Sequence, residues 1–165
     1  QALDRARAAI AWLSRAQDAT PDDGVSYGYF PSRFPGGWAP SYPETTGYII
    51  PTMIDYGQRY GSPESVDRAL RMARWEIAVQ MPNGAVQGGM PRAPEQQTPA
   101  VFNTGMVLQG YTAAYRVAND DSLLQAARKA ADFLAGDLDD KAAGPSGFER
   151  RGVYEQSGPG ICRFS

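Results

Sequence analysis

Thr46-Gly47-Tyr48-Ile49-Ile50 returns 58 residues later as Thr104-Gly105-Met106-Val107-Leu108, and the two copies stay in register without a gap. Ala69 corresponds to Ala127, Ala73 to Ala131, Trp75 to Phe133 and Gly89 to Gly147. The punctuation agrees as well. Gly61 in one copy faces Asn119 in the other, and these two residue types enter the left-handed, helix-ending conformation most easily. A fixed period of this size marks one supersecondary unit that cannot bury its apolar face alone and must stack on copies of itself.

Around this repeat the apolar spacing predicts helices. Leu3, Ala6, Ile10, Leu13 and Ala16-Gln17 form a stripe of 3.6-residue period over Ala2–Gln17, widened by Ala9 and Trp12. A second helix is expected from Glu44, with Pro43 at its entrance, to Gly61, and Pro51 inside it predicts a kink or a reset start. Ser62-Pro63-Glu64 restarts the chain into a third helix running to Gln80 through Val66, Leu70, Ala73 and Ile77. A fourth spans Phe102–Ala118, a fifth Ser122–Leu138, with Asn119 and Asp120-Asp121 as the turn between them. No window alternates apolar and polar residues long enough to argue a sheet, with only Tyr27–Phe30 and Val153–Tyr154 strand-like. The fold class is all-α.

Connection lengths alternate between long (Asp18–Tyr42, Met81–Pro99, Asp139–Ser165) and short. In antiparallel hairpins alternate connections lie at the same end, so the three long loops, rich in glycine, proline and aromatics, are expected on one face. Binding and catalytic residues concentrate on loops held by a rigid scaffold. That face is the expected site.

Composition narrows the chemistry. Hydrophobic residues at 42% and charged residues at 21% over 165 residues suit one globular domain. A net charge of -2 without a basic block argues against nucleic acid, and no stretch reaches the roughly 20 apolar residues of a membrane helix. Cys162 alone forms no internal disulfide, and the absence of histidine removes Ser-His-Asp and Cys-His catalysis and most zinc sites. Proton chemistry among these residues falls to Asp, Glu, Tyr, Lys or Arg, and no cofactor is implied. Gln1 and Ser165 read as cuts, which suggests a partial domain from a longer protein.

The first helix ends Ala11-Trp12 … Gln17 … Gly24 … Gly28, the third Arg74-Trp75 … Gln80 … Gly84 … Gly88-Gly89, and the fifth Asp132-Phe133 … Gly144 … Gly147. This order of aromatic, glutamine and glycine turn resembles the toroidal helical-hairpin proteins: squalene and terpenoid cyclases, protein prenyltransferase subunits and (α/α)-barrel carbohydrate enzymes. The run Tyr42-Pro43-Glu44-Thr45-Thr46-Gly47-Tyr48-Ile49-Ile50-Pro51 is similar to bacterial proteins of the sugar-processing branch (lyases, glycoside hydrolases, epimerases). The resemblance implies part of an α/α toroid of about two and a half hairpins, closed by further hairpins or by a second copy of the chain. The Asp-rich protonating motif of the cyclases and the zinc ligands of the prenyltransferases are missing from this sequence.

On the expected loop face Glu44 is the leading acid–base candidate, although an acid at a helix entrance also serves the helix dipole. Tyr42, Thr45 and Thr46 would complete a polar cluster, and Asn103-Thr104 at the matching entrance of the next repeat could also line the cavity, with N-capping the competing role for Asn103. Glu149 and Tyr154 supply a second acid and a proton carrier. Glycoside hydrolysis needs paired carboxylates. A lyase or epimerase needs a base beside a uronate carboxylate and a group to neutralise it. Trp38, Tyr29, Tyr27 and Phe34 could stack on sugar C–H faces or simply close the core beneath a loop. Arg33, Arg92, Arg150 and Arg151 could hold a uronate or sulfate, with Gln87 beside them. Trp12, Trp75 and Phe133, at equivalent positions, are expected to pack between hairpins. The sequence thus predicts a glycan-binding or polysaccharide-processing cleft. A non-catalytic repeat scaffold binding a protein or glycan chain and an isoprenoid pocket are the alternatives.

Overall fold

A computed structural model describes residues 1–142. It consists of five long helices: α1 (Ala2–Asp18), α2 (Pro43–Tyr60), α3 (Pro63–Val79), α4 (Val101–Ala118) and α5 (Asp121–Ala142). Short 3-10 turns at Pro35–Gly37 and Pro94–Gln96 punctuate the two long loops between them. The described residues contain no strand. The strand-like piece at Tyr27–Phe30 is reduced to isolated bridges, Ser26 with Ser41 and Tyr29 with Trp38, matched by Gln87 with Pro99 in the second loop. The fifth helix runs past the expected Leu138 to Ala142, taking in the first four residues expected in the third loop; the rest of that loop, with Glu149, Arg150, Arg151, Tyr154, Cys162 and the Val153–Tyr154 piece, lies outside the described residues.

The helix ends follow the sequence chemistry. Gly61 closes α2 at φ +66° and Asn119 closes α4 at φ +50°, with their amides bonded to the Gly57 and Tyr115 carbonyls. Pro63 opens α3 at a position where its missing N–H is not needed. Pro51 does not divide α2, which runs unbroken through it. Proline there removes the amide that would have bonded the Gly47 carbonyl. That carbonyl lies against α4 instead, 2.8 Å from where a Cβ on Gly110 would stand. A Cβ on Gly47 would in turn be 2.8 Å from the Val107 backbone. The two glycines therefore allow α2 and α4 to cross backbone to backbone.

The core gathers Ile50 and Met53 of α2, Ala69, Met72 and Ala73 of α3, Val107, Tyr111 and Ala114 of α4, and Leu123 and Ala126 of α5. α2 packs on both α3 and α4, and α4 packs on α5. α1 reaches this core only through Ile10, Leu13 and Ala16.

Two glutamines staple successive helices of the series. Gln17, at the end of α1, donates to the Arg68 carbonyl of α3 (3.2 Å) and to Asp23 (3.0 Å). Gln80, just past α3, donates to the Ala126 carbonyl of α5 (3.0 Å) and to Gly84 (2.9 Å). The accepting residues 68 and 126 are themselves one repeat apart. The first junction also carries ion pairs, Arg68 to Asp18 and Arg71 to Asp23, each at 2.7 Å. The expectation for the aromatics needs correction at Trp12. Trp75 is 6% exposed and its ring lies close to Gly24 of the first loop, but Trp12 is 44% exposed. Its ring leans on Trp38 (5.1 Å between centroids) and Tyr29 (6.4 Å) of the first loop.

Candidate functional site

The two described loops share one frame. In the first, Val25 N–H donates to Thr46 Oγ1 (2.9 Å), Tyr42 N–H to the Val25 carbonyl (3.0 Å) and Tyr27 N–H to the Pro40 carbonyl (3.0 Å). In the second, Val86 N–H donates to Thr104 Oγ1 (3.0 Å), Ala100 N–H to the Val86 carbonyl (3.0 Å) and Gly88 N–H to the Thr98 carbonyl (2.8 Å). The repeat therefore extends into the loops, but out of constant register. Gln17 corresponds to Gln80, Val25 to Val86 and Tyr42 to Ala100, so the offset falls from 63 to 61 to 58 residues. This drift hides the loop repeat from a fixed-period reading.

The loops meet at the first turns of α2 and α4. Tyr42 Oη donates to Glu44 Oε2 (3.1 Å) and accepts from Asn103 Nδ2 (3.4 Å), and the Gly89 amide faces the same oxygen. Asn103 Nδ2 also donates to the Gln87 carbonyl (3.2 Å). Partial burial, the largest influence, raises the Tyr42 phenol above its ordinary value. The Glu44 charge raises it further, while the Asn103 and Gly89 donors lower it. Tyr42 is thus a neutral phenol across the physiological range, held between an acceptor and two donors.

Glu44, Tyr42 and Asn103 are brought together from two repeats. Asn103 does not cap α4, which begins at Val101 without a side-chain cap; it bridges the loops instead. Thr46 has no exposed surface and its hydroxyl holds Val25, so it positions the loop and does not line a cleft. Gln87 is likewise buried. Its amide donates to the Gly89 and Met90 carbonyls and its Oε1 accepts from the Arg92 amide, which folds the second loop around it. Tyr29 (47% exposed) packs edge-on to the half-buried Trp38 at 5.0 Å, and this pair sits with Trp12. The Arg33 guanidinium lies over Phe34 (5.5 Å) and Phe30 (6.0 Å).

Two exposed aromatic side chains adjoin Tyr42 and Asn103, Tyr27 through a ring contact and Phe102 as the chain neighbour of Asn103. Tyr27, 42% exposed, meets Tyr42 edge-on at 5.1 Å. Phe102, 54% exposed, precedes Asn103 and occupies the repeat position of Glu44, which is the signal that locates it. Such exposure is unusual for so large an apolar group at a helix entrance. Among the described residues no three His, Cys, Asp or Glu side chains gather as metal ligands, and no helix is long and apolar enough to cross a membrane. Comparison with protein-family models, curated proteins and solved structures finds no match to this chain.

Proposed function

We propose that the described helices are part of an α/α toroid and that its loop face binds and processes a uronate-bearing glycan. The toroid reading is supported by the repeated glutamine staples and by the neighbouring packing of α2 and α4. The functional reading is carried by one observation: the Tyr42 hydroxyl is held between the Glu44 carboxylate and the Asn103 carboxamide beside exposed aromatic rings.

This arrangement suits proton transfer next to a carboxylate. A sugar ring stacked on Tyr27 or Phe102 would present the carbon beside its carboxyl group to Tyr42. Tyr42 Oη takes the C–H proton as its own proton passes to Glu44, and the electron pair left on carbon spreads into the carboxyl group. The Asn103 amide and the Gly89 N–H supply donors for that developing charge. Delivery of a proton to the opposite face of that carbon gives an epimer, whereas departure of the oxygen substituent on the neighbouring carbon, taking up the proton that Tyr42 has accepted, gives an unsaturated uronate and a free hydroxyl. A polar centre of this kind fits a sugar better than an isoprenoid.

The test is incubation of the protein with a panel of uronate-containing polysaccharides in deuterated water, reading deuterium uptake and unsaturated-uronate absorbance. Turnover is expected, with losses of about 10²–10⁴-fold in Tyr42→Phe and Glu44→Gln and retained glycan binding. Binding without exchange or unsaturation by the unmodified protein would establish a non-catalytic scaffold. Absence of both binding and turnover would overturn the glycan reading.

A further inference from the structure

The repeat places Leu13, Glu76 and Leu134 at one register of α1, α3 and α5, and Met53 and Tyr111 at one register of α2 and α4. Both polar departures from this apolar pattern fall on α3 and α4, which pack together. Glu76 has no exposed surface, and among the described residues neither of its carboxyl oxygens has a hydrogen-bond partner. The Tyr111 hydroxyl is equally enclosed and unpartnered.

We propose that the core carries Glu76 as a neutral acid beside Tyr111, and that loss of its proton as pH rises releases the last turn of α3 from its neighbours. A buried carboxylate needs a cation or several donors, and among the described residues none is placed to answer it. Asp55 and Arg59 of α2, Arg116 of α4, and Asp121, Arg128, Lys129 and Asp132 of α5 lie at the surface, as do Glu64, Asp67 and Arg74 of α3 itself; Asp137 of α5 is partly buried. Arg68 and Arg71 are engaged with Asp18 and Asp23, and Glu44 with Tyr42. Tyr111 is the titratable group that the Glu76 charge perturbs, and a phenol raised by its own burial does not neutralise a carboxylate.

In the unfolded chain Glu76 titrates near the ordinary glutamate value of about 4.3; in the fold, burial holds it well above that. Between these points the unfolded chain has lost a proton that the folded chain keeps, so stability falls as pH rises. The contribution of Glu76 to the unfolding constant grows about tenfold per pH unit and levels off above the folded value. The affected turn leads directly into Gln80, the staple to α5.

Urea unfolding of the unmodified protein, Glu76→Gln and Glu76→Leu, from about pH 5 to about pH 9, tests this. Leucine is the residue found at this register in α1 and α5, so that variant keeps the apolar pattern. The unmodified protein is expected to lose stability relative to both variants as pH rises, by about tenfold per unit. Parallel curves would overturn the proposal. Carbon-13 NMR of the Glu76 carboxyl in the unmodified protein decides the matter even if a variant folds poorly. A midpoint well above the ordinary range supports the proposal, and one near about 4.3 sinks it. None of these readouts depends on a glycan activity.

Discussion

Thr46 and Thr104 each accept the amide proton of a buried loop valine, Val25 or Val86, at a point closed to water. Valine in place of either threonine keeps the shape but strands that amide. A buried donor left unsatisfied costs about 1–3 kcal/mol. Thr46→Val and Thr104→Val are each expected to lower the urea unfolding free energy by that amount. A loss of only a few tenths would show that the hydroxyls do not hold the loops. Thr46 was legible in the sequence as part of a polar cluster, but its direction was not. A side chain two residues beyond Glu44 on a helix turns away from it, and in this case toward the returning loop. Glu44 and Tyr42 were legible because an acid and a phenol stand at a helix entrance next to turn residues. The Asn103 bridge was not, because it joins residues 61 positions apart.

At the scale of the helices, existence and order could be read from apolar spacing, Gly61, Asn119 and Pro63, because each of these signals is local. Pro51 misled for a physical reason. A proline breaks a helix when the carbonyl it leaves unpaired has nowhere to go, and here the Gly47 carbonyl lies against Gly110. This close crossing gives a paired test. Alanine at Gly110 would drive its methyl group to 2.8 Å from the Gly47 carbonyl oxygen. It is expected to destabilise by about 1–3 kcal/mol, as overpacking does. Alanine at Gly105, the repeat counterpart of Gly47, meets nothing within 4 Å among the described residues. It should instead stabilise α4 by up to about 1 kcal/mol, the helix preference of alanine over glycine. Thermal unfolding of the two variants should move in opposite directions. If both shift the same way, the glycine-mediated crossing is not what fixes α2 on α4.

Across the whole molecule stability is distributed unevenly. α2 and α4 are packed on by neighbours from the same series, while α1 touches the core through a few residues and leaves Trp12 and most of its first half exposed. Local opening follows such differences in buried contact. Native-state hydrogen exchange should therefore show the α1 amides before Ile10 exchanging fastest among the helices, and those of α2 and α4 around Met53 and Val107 slowest. Equal protection of α1 and α2 would mean that the described core does not set the stability order. The glutamine staples and the threonine-held valines anchor each loop at its root, and the last rungs, at Phe30 with Gly37 and at Gly88 with Thr98, mark where that anchoring stops. From Val25 to Tyr42 the first loop is three residues longer than the second from Val86 to Ala100, with the shared bonds at both ends unchanged. The tips are therefore free to be rewritten. Evolution, or a designer, can exchange what such a molecule recognises by swapping the segment between Phe30 and Gly37, leaving Trp38 on the core and the bonds that root the loop in place.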